Sequence, residues 1–201
     1  LNNTLDDQLK FLTRYAQANT DWFDILFKNS LLQEHSLSVS SGTSRSQTYF
    51  SSSFTHDSGQ TMGDNVRRYT GNLRNTVKLN DKLTAEFLVN TSIRDQKAPG
   101  TMTRMSDPVY GSYSRDFDIN PYSYALNTSR LITPYDENGD LEYFVRNYGA
   151  FNILNELDNN YLTLGLMDVK LQAGIKYQIT PQLMYSVDGA YRNARTERQH
   201  F

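Results

Sequence analysis

The chain has 201 residues, with 20 basic and 22 acidic side chains, a formal net charge of -2 and a mean hydropathy of -0.63. That balance gives no electrostatic footing for nucleic acid. The absence of cysteine removes disulfides, thiolate chemistry and cysteine-based zinc sites. No stretch approaches the roughly 20 consecutive apolar residues of a spanning helix, but a transmembrane β-barrel alternates lipid-facing and lumen-facing residues and so has a low average hydropathy.

Residues 5–18 read as a helix, with Leu5, Leu9, Leu12 and Ala16 at helical spacing and Thr4 as N-cap. Thr20-Asp21 precedes a second short helix or turn over Trp22–Phe27, in which Trp22 with Phe23 and Phe27 reads as a buried anchor, or else as an interface patch. The first strand spans His35–Ser41, with Leu37 and Val39 on its apolar side, and closes at Gly42-Thr43-Ser44-Arg45. The second runs from about Gln47 to His56, Phe50 and Phe54 on one face and Ser51, Ser53 and Thr55 on the other. A polar loop follows, then a third strand over Arg68–Leu79. Tyr69, Leu73 and Val77 alternate there with Arg68, Thr70, Asn72, Arg74, Thr76 and Lys78.

The fourth strand, 83–94, shows the alternation best. Leu83, Ala85, Phe87, Val89, Thr91 and Ile93 share one parity, and of the opposite parity only Leu88 is apolar. Residues 95–160 form a polar connection far longer than ordinary loops. Within it, Asn120-Pro121 opens a helical turn through Ala125. Tyr135-Asp136-Glu137-Asn138-Gly139-Asp140 reads as a turn, and Leu141–Val145 as a short strand. The fifth strand (about 163–178) and sixth (about 182–195) meet at Thr180-Pro181. They oppose Val169, Leu171, Ala173, Ile175, Tyr185, Val187 and Tyr191 to Lys170, Gln172, Lys176, Asp188 and Arg192.

Short and long connections therefore alternate strictly. A soluble antiparallel sheet packed on a core also has one apolar face. Three features favour a barrel in lipid. The strands have about ten or more residues, enough to cross a bilayer at a tilt, where soluble strands average five or six. The polar faces carry charge suited to a water-filled lumen. The connections segregate by length, as short periplasmic turns and long extracellular loops do. Fourteen tyrosines and ten phenylalanines against one tryptophan suit interfacial girdles and equally suit any β-rich protein. The expected fold class is all-β: an antiparallel, up-and-down transmembrane β-barrel segment, about six strands of a larger barrel. The expected divisions are an extracellular loop with short helices over 1–34, four strands over 35–95, a long extracellular loop over 96–160, and two strands over 161–201. The abrupt start at Leu1-Asn2-Asn3 and the finish at Gln199-His200-Phe201 read as a segment of a longer polypeptide.

No catalytic constellation is present. His35, His56 and His200 lack partners at metal-ligand spacing, no Gly-x-Ser-x-Gly elbow occurs, and Asp136–Asp140 departs from the calcium-loop pattern. No enzyme activity, cofactor or metal is expected. The residues that suggest contacts are the loop tyrosines, Tyr110, Tyr113, Tyr122, Tyr124, Tyr135, Tyr143 and Tyr148, whose faces stack on sugars, pack against a partner, or pack the loop onto itself. The candidate lumen-lining residues are Arg68, Arg74, Glu86, Arg94, Lys170, Asp188 and Arg192.

Asp21-Trp22-Phe23 followed by Phe27, His35-Ser36-Leu37-Ser38-Val39-Ser40-Ser41-Gly42-Thr43, and Arg68-Tyr69-Thr70-Gly71-Asn72-Leu73 through Leu79-Asn80-Asp81 resemble, in order and spacing, early barrel strands of the SusC/RagA family of TonB-dependent outer-membrane transporters. Asn120-Pro121-Tyr122 and Tyr135–Gly139 resemble the long third loop of that family. Ser41-Gly42 stands where the family usually has Gly-Gly, and His35 follows Glu34 rather than Asn or Gln. The resemblance covers nearly the whole chain. It implies a middle section of the transporter in the bacterial outer membrane, without plug or TonB box. It also implies import of oligosaccharides (glycans) or peptides, a SusD-like surface lipoprotein as lid, energy through TonB by way of a region outside this segment, and contact with outer-membrane lipid. The alternative is a soluble, secreted β-rich carbohydrate-binding or adhesion module whose tyrosine-rich loop is its contact surface.

Overall fold

The computed structural model describes residues 4–100, 119–146 and 149–201, and the strand pair Ser106–Asp107 with Ser112–Tyr113. Helix α1 (Leu5–Gln17) begins at a capping box in which Thr4 and Asp7 bond reciprocally, and α2 (Trp22–Leu26) at an Asp21 N-cap. Strands β1 (Leu32–Gly42), β2 (Ser46–Asp57), β3 (Asn65–Lys78) and β4 (Leu83–Pro99) follow. Next come the short β5 (Ser106–Asp107) and β6 (Ser112–Tyr113), helix α3 (Pro121–Asn127), the short β7 (Phe144–Arg146) and β8 (Gly149–Phe151), and helix α4 (Ile153–Asn159). The chain returns in β9 (Tyr161–Thr180) and β10 (Leu183–His200).

The six long strands form one sheet in the order β1-β2-β3-β4-β9-β10, every neighbour antiparallel. This is the expected up-and-down barrel segment. The strands are longer than the alternation indicated: the ladder starts at Leu32 rather than His35, continues past Arg94 to Pro99, and resumes at Tyr161. Each short turn is closed by a side-chain oxygen. Thr43 Oγ1 accepts from the Arg45 and Ser46 amides, Asn80 Oδ1 from Lys82, and Thr180 Oγ1 from Leu183. At the other rim, the 58–64 loop needs Gly59 and Gly63 at φ of +66° and +81°; a Cβ on Gly59 would also lie 2.6 Å from the Asp64 carbonyl oxygen.

The register aligns one apolar row across all six strands: Val39, Phe50, Leu73, Val89, Leu171 and Tyr191. This face is uncovered. Phe87 is 54% exposed, Val187 52% and Leu171 44%, and Ala85 is the one buried apolar residue that the six-stranded sheet supplies among the described residues. Thr48 and Asn75, polar intruders on this face, bond each other at 2.6 Å and so pair a donor with an acceptor.

The buried core lies in the connections instead. Trp22, Leu26, Ile119, Ala125, Phe151, Ile153, Leu154 and Leu157 pack together at the long-loop end of the sheet. Trp22 is thus an anchor, held further by its indole N–H on the Ser129 carbonyl at 3.1 Å. Helix α2 is tied to the β2–β3 loop by the Phe27–Thr61 bridge and by the Met62 amide on Leu26 O. Buried Asn152 joins three segments: its amide donates to Pro134 O and Glu142 O, both at 2.8 Å, and its Oδ1 caps α4 through the Leu154 amide.

Candidate functional site: polar sheet face and loop cap

Residues opposite one another across the ladder share a face, and the side-chain period of two carries that assignment along each strand. The pairings Arg68–Arg94, Arg74–Leu88, Asn90–Lys170, Lys170–Arg192, Glu86–Gly174 and Gly174–Asp188 therefore place all seven candidate lumen residues on one face, opposite the Val39-to-Tyr191 row. This face changes character across the sheet. On β1 and β2 it is a hydroxyl wall of Ser36, Ser38, Ser40, Ser51 and Ser53, with Ser53 Oγ 2.6 Å from Thr70 Oγ1 and Asn72 donating to Ser51 Oγ. On β9 and β10 it carries ion pairs. Lys176 Nζ lies 2.8 Å from Glu86 Oε1, and Arg192 grips Asp168 with both ends of its guanidinium, at 2.9 and 2.6 Å. A shallow hollow of about 380 Å³ lies over Asn72, Asn90, Asp168, Lys170 and Arg192.

The apolar face has a definite height. On β9 the apolar run from Met167 to the aromatic limit at Tyr177 covers ten steps of about 3.3 Å, which at a barrel tilt of ~40° gives a band of ~25 Å, with Ile179 just past it at the short turn. Aromatic side chains mark both limits. Tyr177 pairs with Tyr185 near the short turns, and Phe54 packs on Tyr69, 4.9 Å between centroids, toward the long loops. Beyond Tyr69 and Ile93 the same face turns polar, with Arg67, Asp95, Lys97 and Glu197, and on β10 Arg195 already stands on the Ile93–Met167 row. The strands thus continue past the band on the long-loop side only.

The tyrosines divide. Tyr124 is taken up by the loop core, its ring edge-on to Trp22 at 5.0 Å and tilted on Phe151 at 5.7 Å. Tyr122 is exposed, edge-on to Phe23 and Phe27, and Tyr135 and Tyr143 are exposed as well. Tyr113 lies in β6, while Tyr110 and Tyr148 fall outside the described residues. The Asp136–Asp140 stretch is a turn: Asp136 Oδ1 accepts the Asn138 and Asp140 amides, which hold its carboxyl below the usual carboxylate range. Among the described residues no group of acids and histidines is placed to hold a metal.

An unforeseen cluster fastens α1, none of whose residues is fully buried but whose Arg14 and Tyr15 are half-buried. The Glu142 carboxylate accepts from Arg14 Nη2 at 2.8 Å, from the Tyr15 hydroxyl and from Thr133 Oγ1. Burial first, and then this bond to Glu142, pushes the Tyr15 phenol above its ordinary pKa. Removing the acceptor leaves the Tyr15 and Thr133 hydroxyls without one, while Arg14 keeps the Tyr135 carbonyl at 2.8 Å, so Glu142→Ala is expected to cost about 2 kcal/mol of local stability. Limited proteolysis should then cut within residues 5–17 several-fold faster, with Glu142→Gln intermediate; unchanged cutting would show that α1 is held elsewhere.

No protein-family model matches the chain, and no curated protein matches it either. Solved structures do. A structure of the RagAB peptide importer in its closed-closed state is similar over 92% of this chain at 17% identity and a TM-score of 0.69. A structure of the RagAB peptide transporter is similar over 99% at 15% identity and a TM-score of 0.70. The match takes in 20% and 24% of those chains, so this chain spans about a quarter of their length or less. At such identities the likeness is one of fold: this chain is folded as a segment of a transporter β-barrel is folded.

Proposed function

We propose that this chain forms part of the wall and loop cap of a TonB-dependent outer-membrane importer of the SusC/RagA type. One observation carries the reading. An apolar face about 25 Å high, bounded by aromatic residues and left open along six strands, is far larger than the patches that soluble monomers expose. Hydrocarbon is the phase that fits it. The fold likeness to the RagAB chains supports the same assignment.

In this reading, residues 1–31 and 100–160 lie outside the cell, the turns at 43–45, 79–82 and 181–182 face the periplasm, and the face bearing Glu86, Lys170 and Arg192 lines the lumen. The cargo is an oligomeric nutrient, with peptides favoured over glycans by the named activity of the RagAB structures. A SusD-like surface lipoprotein covers the loops, and TonB engages a region outside this segment. The work of the chain is to bind and to guide, and no covalent step is assigned to it.

The chain has no cysteine, so single labelling sites are clean. Spin labels at Phe87→Cys and Val187→Cys, in the intact protein reconstituted in bilayers, should relax with oxygen dissolved in the hydrocarbon. Labels at Glu86→Cys and Asp188→Cys should respond to a water-soluble nickel complex. A nickel response at positions 87 and 187 would place the apolar face in water, and access to neither reagent would place it against protein; either result ends the membrane assignment in favour of a soluble module.

A further inference from the structure

We infer that Arg68 and Arg94 form a carboxylate-binding fork at the mouth of the lumen, which makes acidic peptides the preferred cargo; this rests on the importer reading above. The two arginines stand directly opposite each other on β3 and β4. Like charges in that position destabilise a sheet, and the cost is removed when an anion sits between them.

Three facts make the pair unusual on this face. First, among the described residues neither guanidinium has a carboxylate within ion-pair distance, whereas Lys176 and Arg192 are matched with Glu86 and Asp168. Arg74 and Lys170 also lack an ion partner, but Arg74 stands opposite Leu88, and the cation opposite Lys170 on β10, Arg192, is already held by Asp168. Second, the acid on the same row, Glu34, is two strands away, beyond Thr55. Third, Arg94 is pre-set: its Nη2 donates to Gln96 Oε1 at 2.8 Å, which leaves the rest of the fork free. Planar guanidinium forks suit bidentate capture of carboxylates.

Height decides what reaches them. On these two strands the apolar face ends at Tyr69 and Ile93, and its charged continuation starts at Arg67 and Asp95. Arg68 and Arg94 are the intervening step, facing the other way. They therefore sit inside the wall where the band stops on the long-loop side, at the level where a solute enters. A cargo carboxylate arriving there meets two guanidiniums without an ion partner before it meets the matched pairs farther down.

The test uses cells that carry the intact protein and two labelled octapeptides of glycine and serine, one with two aspartates and a twin with asparagine in both places. At low salt the aspartate peptide should enter with a preference of roughly tenfold, the order expected of charge-assisted hydrogen bonds, and the preference should shrink as salt rises. The double variant Arg68→Gln with Arg94→Gln should abolish the preference and leave uptake of the asparagine twin unchanged. Arg68→Lys with Arg94→Lys should keep part of it, as charge without the fork. Equal uptake of the twins by the unaltered protein, or a preference that survives in the double glutamine variant, overturns the inference. Equal loss of both twins in that variant assigns the arginines to wall integrity and overturns it too. If neither twin enters cells with the unaltered protein, the importer reading itself fails, and this inference with it.

Discussion

On the proposed membrane assignment, Leu171→Arg is expected to cost about 2–4 kcal/mol of barrel stability, the depth-dependent price of a guanidinium at the middle of the hydrocarbon. Leu171 lies near the centre of the Met167-to-Tyr177 band, flanked across the sheet by Val89 and Tyr191. Its neighbour Gln172 points to the polar face beside Leu88 and Ala190. Gln172→Arg adds the same charge one residue later, into water, and should cost well under 1 kcal/mol. The comparison holds the added charge and the incoming side chain constant on adjacent residues of one strand. Urea unfolding of the intact protein in bilayers, read by heat-dependent gel migration, measures both variants. Equal losses would mean that the two faces share one solvent, and a larger loss at Gln172 would reverse their assignment.

Selection by two solvents also explains how much of the fold could be read in the sequence. Where one face must be apolar and the other polar, parity is written into the residues, so Leu83–Ile93 and Val169–Tyr177 could be assigned to faces correctly from the chain alone. Past the band the strict alternation lapses: the outer face turns polar, while the other carries Leu162, Leu164 and Leu166 on β9. The backbone ladder still runs through Gln96–Pro99 and Arg195–His200, but no alternation reports it, and the strands therefore read too short. Helix α1 was legible because Thr4 and the leucine spacing announce it. Helix α4 was not: seven residues in a polar connection fall below the window in which a period of 3.6 stands out. Its signal was Asn152 as cap, followed by Ile153, Leu154 and Leu157 on one side. The membership of the polar face could be read too, but its pairings could not. Lys176 meets Glu86 across 90 residues, and that register depends on how the long connection folds. The Arg14–Glu142 contact, 128 residues apart, was hidden for the same reason.

The loop cap is the other place where a single change should have a large effect. Trp22 is buried against Leu26, Ala125, Phe151 and Ile153, and its ring meets Tyr124 edge-on. Trp22→Ala removes the largest side chain of a core of eight buried residues and leaves the Ser129 carbonyl without its indole donor. Truncations of this kind cost about 3–5 kcal/mol, as much as so small a core is expected to contribute net. The cap should therefore open locally while the sheet stays formed, because the six strands are held by their own ladder and by the phase outside them rather than by these residues. Proteolysis of the 119–160 connection should accelerate at least a hundredfold, while heat-dependent gel migration stays as in the unaltered protein. Trp22→Phe keeps most of the volume and should lie between. Loss of barrel migration together with the cap would show that the loops brace the wall, which would tie the loop core to the six-stranded sheet in a single cooperative unit.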